Sequence, residues 1–343
     1  MNPDGSQDSV VNATPSTDEF VAGARRSPDG KFLVYGFFSG INGVARNNLA
    51  RLLTSGAVDS SYNIATGPDS GVNAAVLQPD GKLLIGGAFE TVRGIARRGI
   101  ARLNADGTVD ATFTPGTGFM DSQSGFGSVY QLALQPDGRV IAVGYFDRFN
   151  GVVRNRVARL NRNGTLDTTF NAGTGPMNEG YPALFDRVTL QPDGKIVLGG
   201  GFHTFHGQRF PGLLRLKPNG ALDDSFSPGS FSLDGSIASV AFAPDGPMLV
   251  GGGFSSFGGF PCSGLVRLKN DFDVLIHSLS RLDMSRVQIT GLAQVGKSYT
   301  LQSSQDLVNW TDRDTRIAVA PTVVLEDQNA GGVAARFYRV LRK

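Results

Sequence analysis

Residues 129–146 read VYQLALQPDGRVIAVGYF, and the rest of the architecture follows from them. Val129 to Gln135 has the composition of a strand. Pro136-Asp137-Gly138 is hairpin chemistry: Pro sets φ for the first turn position, and Asp-Gly tolerates positive φ. Arg139 to Phe146 is a second, more apolar strand. A loop ending in Asn150-Gly151 leads to a third, Arg156 to Leu160, and Asn163-Gly164 turns the chain into a fourth, Thr165 to Phe170. Four short strands joined this way form one antiparallel sheet, which alone cannot bury both of its faces.

The unit recurs. Pro-Asp-Gly stands at residues 28–30, 79–81, 136–138, 192–194 and 244–246, at intervals of 51, 57, 56 and 52 residues and a mean of 54. A fixed period of this length marks a repeat architecture. The second strands read Phe32 to Gly36, Leu83 to Gly87, Val140 to Gly144, Ile196 to Gly200 and Met248 to Gly252, apolar without alternation, so both faces are covered. Sheets stacked radially meet that demand, whereas a solenoid coil would not fold back twice per unit. The expectation is an all-β protein: a five-bladed β-propeller of four-stranded blades over residues 1–276, then a small antiparallel β-sandwich over residues 277–343, with the lone Trp310 in its core.

Composition agrees. Gly accounts for 46 of 343 residues, and of 30 acids only Glu19, Glu90, Glu179 and Glu326 are Glu, leaving 26 Asp. Turns favour Gly and Asp, and helices favour Glu. A net charge of +2 from 32 basic and 30 acidic residues gives no nucleic-acid footprint. No apolar run reaches the roughly 18 residues needed for a membrane span. Residues 1–20 carry no basic start and no apolar core of a signal peptide, and Cys262 alone excludes a disulfide scaffold.

Four repeats end in Gly-x-x-Asp-x-x-aromatic: Gly56/Asp59/Tyr62, Gly107/Asp110/Phe113, Gly164/Asp167/Phe170 and Gly220/Asp223/Phe226. In the fifth, Lys269 to Phe272 does not fit. Gly5, Asp8 and Val11 hold that spacing at the other end of the chain, so residues 6–12 are expected to complete the fifth blade and remove two open sheet edges. The recurring Asp8, Asp59, Asp110, Asp167 and Asp223, with Arg51, Arg102, Arg159, Arg215 and Arg267, suit strand-tying ion pairs better than one site. The Pro-Asp-Gly turns lack a calcium-loop pattern and are followed by Lys31, Lys82, Arg139 and Lys195.

The unit from Leu132 to Gly138, through Val143 to Phe146 and Arg156 to Asn161, to Gly164 to Asn171, resembles the delta-60 repeat of large exported bacterial proteins. The resemblance covers about residues 1–270 and departs at Pro211 and Pro261-Cys262. Gly296 to Ser304 with Leu307, Trp310 and Arg336 to Val340 resembles a C-terminal immunoglobulin-like module of exported bacterial proteins. Together these imply an extracytoplasmic location, secreted or at the cell surface, and no established reaction.

Function is read from the parts that differ between repeats. Long connections hold Phe119, Met120, Asp121, Gln123 and Phe126; then Met177, Asn178, Glu179 and Tyr181; then Phe231 and Asp234. Aromatic residues beside Asp, Asn and Gln suit a ligand-binding rim. His203 and His206 are the metal candidates, with Asp147 and Glu90 at sibling positions of His203, although zinc needs three or four converging ligands. No Gly-x-Ser-x-Gly elbow and no phosphate loop occur, and Cys262 has no nearby His in sequence. The expected function is a non-catalytic extracytoplasmic binding or scaffold protein presenting a propeller face to glycan or protein ligands. It is expected to need no cofactor, insert in no membrane and stay monomeric. The alternative is a polysaccharide-acting hydrolase or lyase using carboxylates at the channel mouth, which needs two acids at a defined distance.

Overall fold

The computed structural model describes residues 14–15, 19–178, 180–191, 193–210, 212–226, 236–242, 248–257, 260–268, 275–292, 296, 298–305, 309–320, 322–331 and 336–342. The chain divides into two compact units, Met1–Asp223 with Ser236–Val240, and Asp224–Gly235 with Ala241–Lys343. Every regular element among the described residues is a strand.

In the first unit each repeat opens with a three-stranded antiparallel sheet. Repeat three pairs Ser128–Leu134 with Val140–Tyr145, and Val140–Tyr145 with Val157–Leu160. The other repeats match it with Phe20–Arg26, Phe32–Phe37 and Leu49–Leu52; Val72–Leu77, Leu83–Gly87 and Ile100–Leu103; and Arg187–Leu190, Ile196–Gly199 and Leu213–Leu216. The middle strands are buried on both sides, as their unalternating apolar sequence requires. Pro-Asp-Gly forms the expected turn; in repeat three Gly138 N donates to Gln135 O at 2.8 Å with Gly138 at φ 80°.

The first strands of successive repeats lie side by side. Arg25 Nε donates to Ala75 O at 3.0 Å, Asn73 Nδ2 to Val129 O at 2.9 Å, and Val188 N to Gln131 Oε1 at 2.6 Å. Neighbouring sheets thus converge on their first strands, the radial arrangement of a β-propeller.

Three expectations need correction. In repeats one to four the fourth strand is reduced to one backbone bridge, Leu52 to Val58, Leu103 to Val109, Leu160 to Leu166 and Leu216 to Leu222. The next residues turn at once, because the Asp carboxylate takes up the backbone amide two residues on (Thr112 N to Asp110 Oδ1, 2.9 Å) and so ends the ladder. The loop between second and third strands contains its own hairpin, such as Arg148–Phe149 with Val152–Val153. Trp310 lies outside the tail's core, half-exposed, with the Arg339 guanidinium 4.1 Å from its ring centroid. Residues 6–12, with Gly5, Asp8 and Val11, fall outside the described residues, as do Pro244 to Gly246 and Lys269 to Phe272.

The aromatic that ends each repeat wedges between two sheets. Phe113 is fully buried among Leu84 and Ile100 of its own repeat and Val140, Ala142 and Leu160 of the next. Tyr62 and Phe170 repeat the arrangement. Burying one such ring contributes about 1.5–3 kcal/mol. The wedge explains the glycine that opens the following segment: a Cβ on Gly164 would stand 3.0 Å from Phe113, and one on Gly107 3.1 Å from Tyr62.

In the second unit Met248–Gly252 pairs with Leu265–Leu268. The tail forms two three-stranded antiparallel sheets, one ordered Leu275–Arg281, Val287–Leu292, Thr322–Asp327 and the other Thr311–Ile317, Ser298–Ser304, Phe337–Arg342. Ile289 and Leu325 of the first share a buried cluster with Tyr299, Leu301 and Val340 of the second.

Candidate functional site

The recurring charges are structural. Arg51 meets Asp59 at 2.9 Å, Arg102 meets Asp110 at 2.7 Å, and Arg159 meets Asp167 and Arg215 meets Asp223 at 2.8 Å. Each guanidinium of the first three also lies over the wedge aromatic, 4.5 to 4.9 Å from its centroid, and donates to a carbonyl of the next repeat: Ala105, Arg162 or Pro218. Lys31, Lys82, Arg139 and Lys195 add a second cation to each Asp. Burial raises the Asp110 carboxyl, but Lys82, Thr112 and Arg102 outweigh it and hold the group well below the usual carboxylate range.

The histidines do not assemble a metal centre. Among the described residues no three His, Cys, Asp or Glu side chains converge. His206 is a turn residue at φ 51°, the conformation Asn42, Arg93 and Asn150 adopt at φ 51°, 54° and 49° in their own hairpins. Its ring stacks on Phe205 with centroids 4.2 Å apart, and Nε2 lies 3.0 Å from Ala172 O. His203 is exposed and binds through its backbone to Met177 O. Glu90 pairs with Arg98 at 3.0 Å, and Asp147 accepts from Ser122 N and Oγ.

The rim residues divide. Phe119 is fully buried, 4.4 Å from Phe146 and 4.7 Å from Phe149 between centroids, because its short strand pairs with Arg148–Phe149; it is core and offers no contact surface. Met120, Met177 and Asn178 are half-buried, and Gln123 is exposed. Phe126 is 41% exposed and Tyr181 76%. Glu179, Phe231 and Asp234 lie outside the described residues.

Asp121 organises the remainder. It is buried, and the Arg156 Nη1 donates to it at 3.1 Å, Tyr145 Oη at 3.3 Å and Ser124 N at 3.1 Å. The Arg156 guanidinium lies over the Tyr145 ring at 4.7 Å. Burial raises the Asp121 carboxyl, yet the Ser124 amide and Arg156 hold it below its ordinary value. Above this triad a cavity of about 120 Å³ opens between loops of repeats three and four, with Asp121, Gln123, Asp147 and Arg156 on one side and Pro176, Met177 and Pro182 on the other. Phe126 O accepts from Asp121 N, and Tyr181 precedes Pro182 in the chain.

Sequence reasoning did not single out Arg156. It occupies a left-handed position, φ 65°, where the siblings are Asn48 at 61°, Gly99 at 74°, Gly212 at 75° and Gly264 at 72°. All five donate their amide to the same Phe carbonyl of their loop: Phe38, Phe89, Phe146, Phe202 and Phe254. Four repeats place there a residue suited to positive φ; the third places a long cation, held by an Asp from its own inserted loop. Comparing siblings column by column was the signal that could have found it.

A family model described as "Domain of unknown function (DUF5122) beta-propeller" matches residues 27–62, 78–113, 135–170, 191–226 and 243–271. No curated protein matches the chain. Two solved structures align along its length: one titled glycoside hydrolase, 13% identical, covering 94% of this chain and 93% of that one with a TM-score of 0.34; and an exo-beta-1,3-galactanase from Phanerochaete chrysosporium with galactose, 10% identical, covering 94% and 88% with a TM-score of 0.32. At those scores neither bears on activity or site.

Proposed function

The chain belongs to the DUF5122 β-propeller family, and we propose that it is a non-catalytic extracytoplasmic binding module whose ligand site is the cleft between the loops of repeats three and four. The observation that carries this is Arg156, a non-glycine residue in a strained conformation that costs about 1–3 kcal/mol unless its surroundings repay it. Strain of this kind concentrates at functional sites, and here it accompanies a buried ion pair at the floor of a cavity.

The ligand we propose is a glycan. Gln123, Asp147 and Asn155 offer donors and acceptors suited to sugar hydroxyls, while Pro176, Met177 and Pro182 supply an apolar wall. The finer architecture is part of the same proposal: five blades over residues 1–276, closed by the N-terminal segment, then a β-sandwich of immunoglobulin-like type over 277–343. Supporting closure, Thr14 O accepts from Asn42 N as Gly67 O does from Arg93 N and Gly118 O from Asn150 N. The chain thus enters repeat one as it passes from repeat one to two and from two to three.

A glycan array run with the native protein and with an Arg156→Gly/Asp121→Asn variant tests the site. The variant installs the sibling glycine and removes both charges together. Binding lost while melting stays within a few degrees supports the cleft; undiminished binding refutes it. The second reading, hydrolysis, needs two acids at a defined distance; Asp186, immediately before the first strand of repeat four and with its carboxyl raised by burial, supplies one. That reading requires array ligands to be degraded and Asp186→Asn to stop the release of reducing sugar.

A further inference from the structure

A second departure from the repeat lies on the opposite, Pro-Asp-Gly face, between repeats one and two. A pocket of about 200 Å³ is walled there by Leu33, Leu77 and Leu83, with Ser27, Asp29, Arg51, Tyr62 and Asn104 as polar members. Three substitutions relative to the siblings set this junction apart. Ser27 stands before Pro-Asp-Gly where repeats two to four have Gln78, Gln135 and Gln191. In repeat four that Gln fills the space beside the arginine, with Gln191 Oε1 accepting from Arg215 Nη1 at 3.2 Å. Ser27 instead turns inward on its own loop, donating to Asp29 Oδ1 at 2.6 Å. Ala105, which also lines the pocket, stands where repeats three and four have Arg162 and Pro218. Both changes remove volume.

The third change adds polarity where none is satisfied. The wedge residue here is Tyr62, against Phe113, Phe170 and Phe226 elsewhere. Tyr62 is 3% exposed, and its hydroxyl has no hydrogen-bond partner. Leaving a buried hydroxyl unpaired is destabilising, a cost that the sibling phenylalanines avoid. Its guanidinium neighbour Arg51 uses Nε on Asp59 and Nη1 on Ala105 O, and only a long 3.4 Å contact from Nη2 to Ser61 Oγ. One junction in the repeat array therefore combines missing volume, leucine walls and hydrogen-bonding capacity left over.

We propose that this pocket is a binding site for a small aromatic alcohol, its ring against Leu33, Leu77 and Leu83 and its hydroxyl supplying the partner that Tyr62 lacks. The size agrees: an apolar protein cavity of about 150 Å³ accepts benzene. The single polar end distinguishes the occupant from a plain hydrocarbon. This site is independent of the cleft at Arg156.

Phenol and toluene, titrated into the full chain and followed by ligand-observed NMR, test it. Phenol saturates the native protein at least tenfold more tightly than toluene. Ser27→Gln, which restores the residue of three siblings, weakens phenol at least tenfold with an unchanged melting temperature. Tyr62→Phe, which restores the sibling wedge, removes the preference for phenol over toluene. The Arg156→Gly/Asp121→Asn variant binds phenol as the native protein does. Absence of saturable phenol binding, full binding by Ser27→Gln, or a retained preference in Tyr62→Phe overturns the proposal.

Discussion

Asp110 illustrates how one residue serves three neighbours. Its Oδ2 receives Arg102 and Lys82, and its Oδ1 receives Thr112 from both amide and hydroxyl. Asp110→Asn leaves two cations against a neutral group, one of them buried, and should cost about 3–5 kcal/mol in denaturant unfolding. The carboxyls of Asp59, Asp110 and Asp167 are all depressed in the folded chain. Their contribution is therefore complete above the unfolded value of about 4 and is lost as pH falls from there toward the lower folded values. The melting temperature should drop steeply below about pH 4, and the Asp110→Asn protein should show a shallower drop over the same interval.

At the scale of the element, the sequence made the three principal strands, the Pro-Asp-Gly turns and the Arg–Asp ties legible, because each depends on chemistry within one repeat. The fourth strand was not legible as a single bridge: Thr165 to Phe170 has strand composition, and only the Asp167 carboxylate capping Thr169 N, at 2.9 Å, shows why pairing stops. Phe119 looked like a rim aromatic because it stands in a long connection beside Asp121 and Gln123. Its burial comes from pairing with Arg148–Phe149, residues almost thirty positions away. Arg156 was hidden for a related reason: its φ is fixed by the loop that encloses it. The close approach between elements gives a direct check. Gly107→Ala, at φ 90° with its new Cβ 3.1 Å from Asn63 N and the Tyr62 ring, should destabilise by about 1–3 kcal/mol; a loss below a few tenths would contradict the wedge packing.

At the scale of the molecule, one repeated solution for stability leaves function to the exceptions. Wedge, arginine and carboxylate recur with little change, whereas the buried Arg156–Asp121 pair marks one junction and the undersized pocket another. The proposed ring adds one prediction here. Deleting residues 1–13 should lower the melting temperature by ten degrees or more if that segment completes the fifth blade, and an unchanged transition would refute closure.

The central claim is that repeats three and four hold the ligand between their loops without altering it. A crystal structure of the protein soaked with its strongest array saccharide tests this most directly. The account predicts an intact terminal sugar in the cleft, within hydrogen-bonding distance of Arg156 or Asp147. A saccharide found elsewhere on the chain, or cleaved, would contradict it.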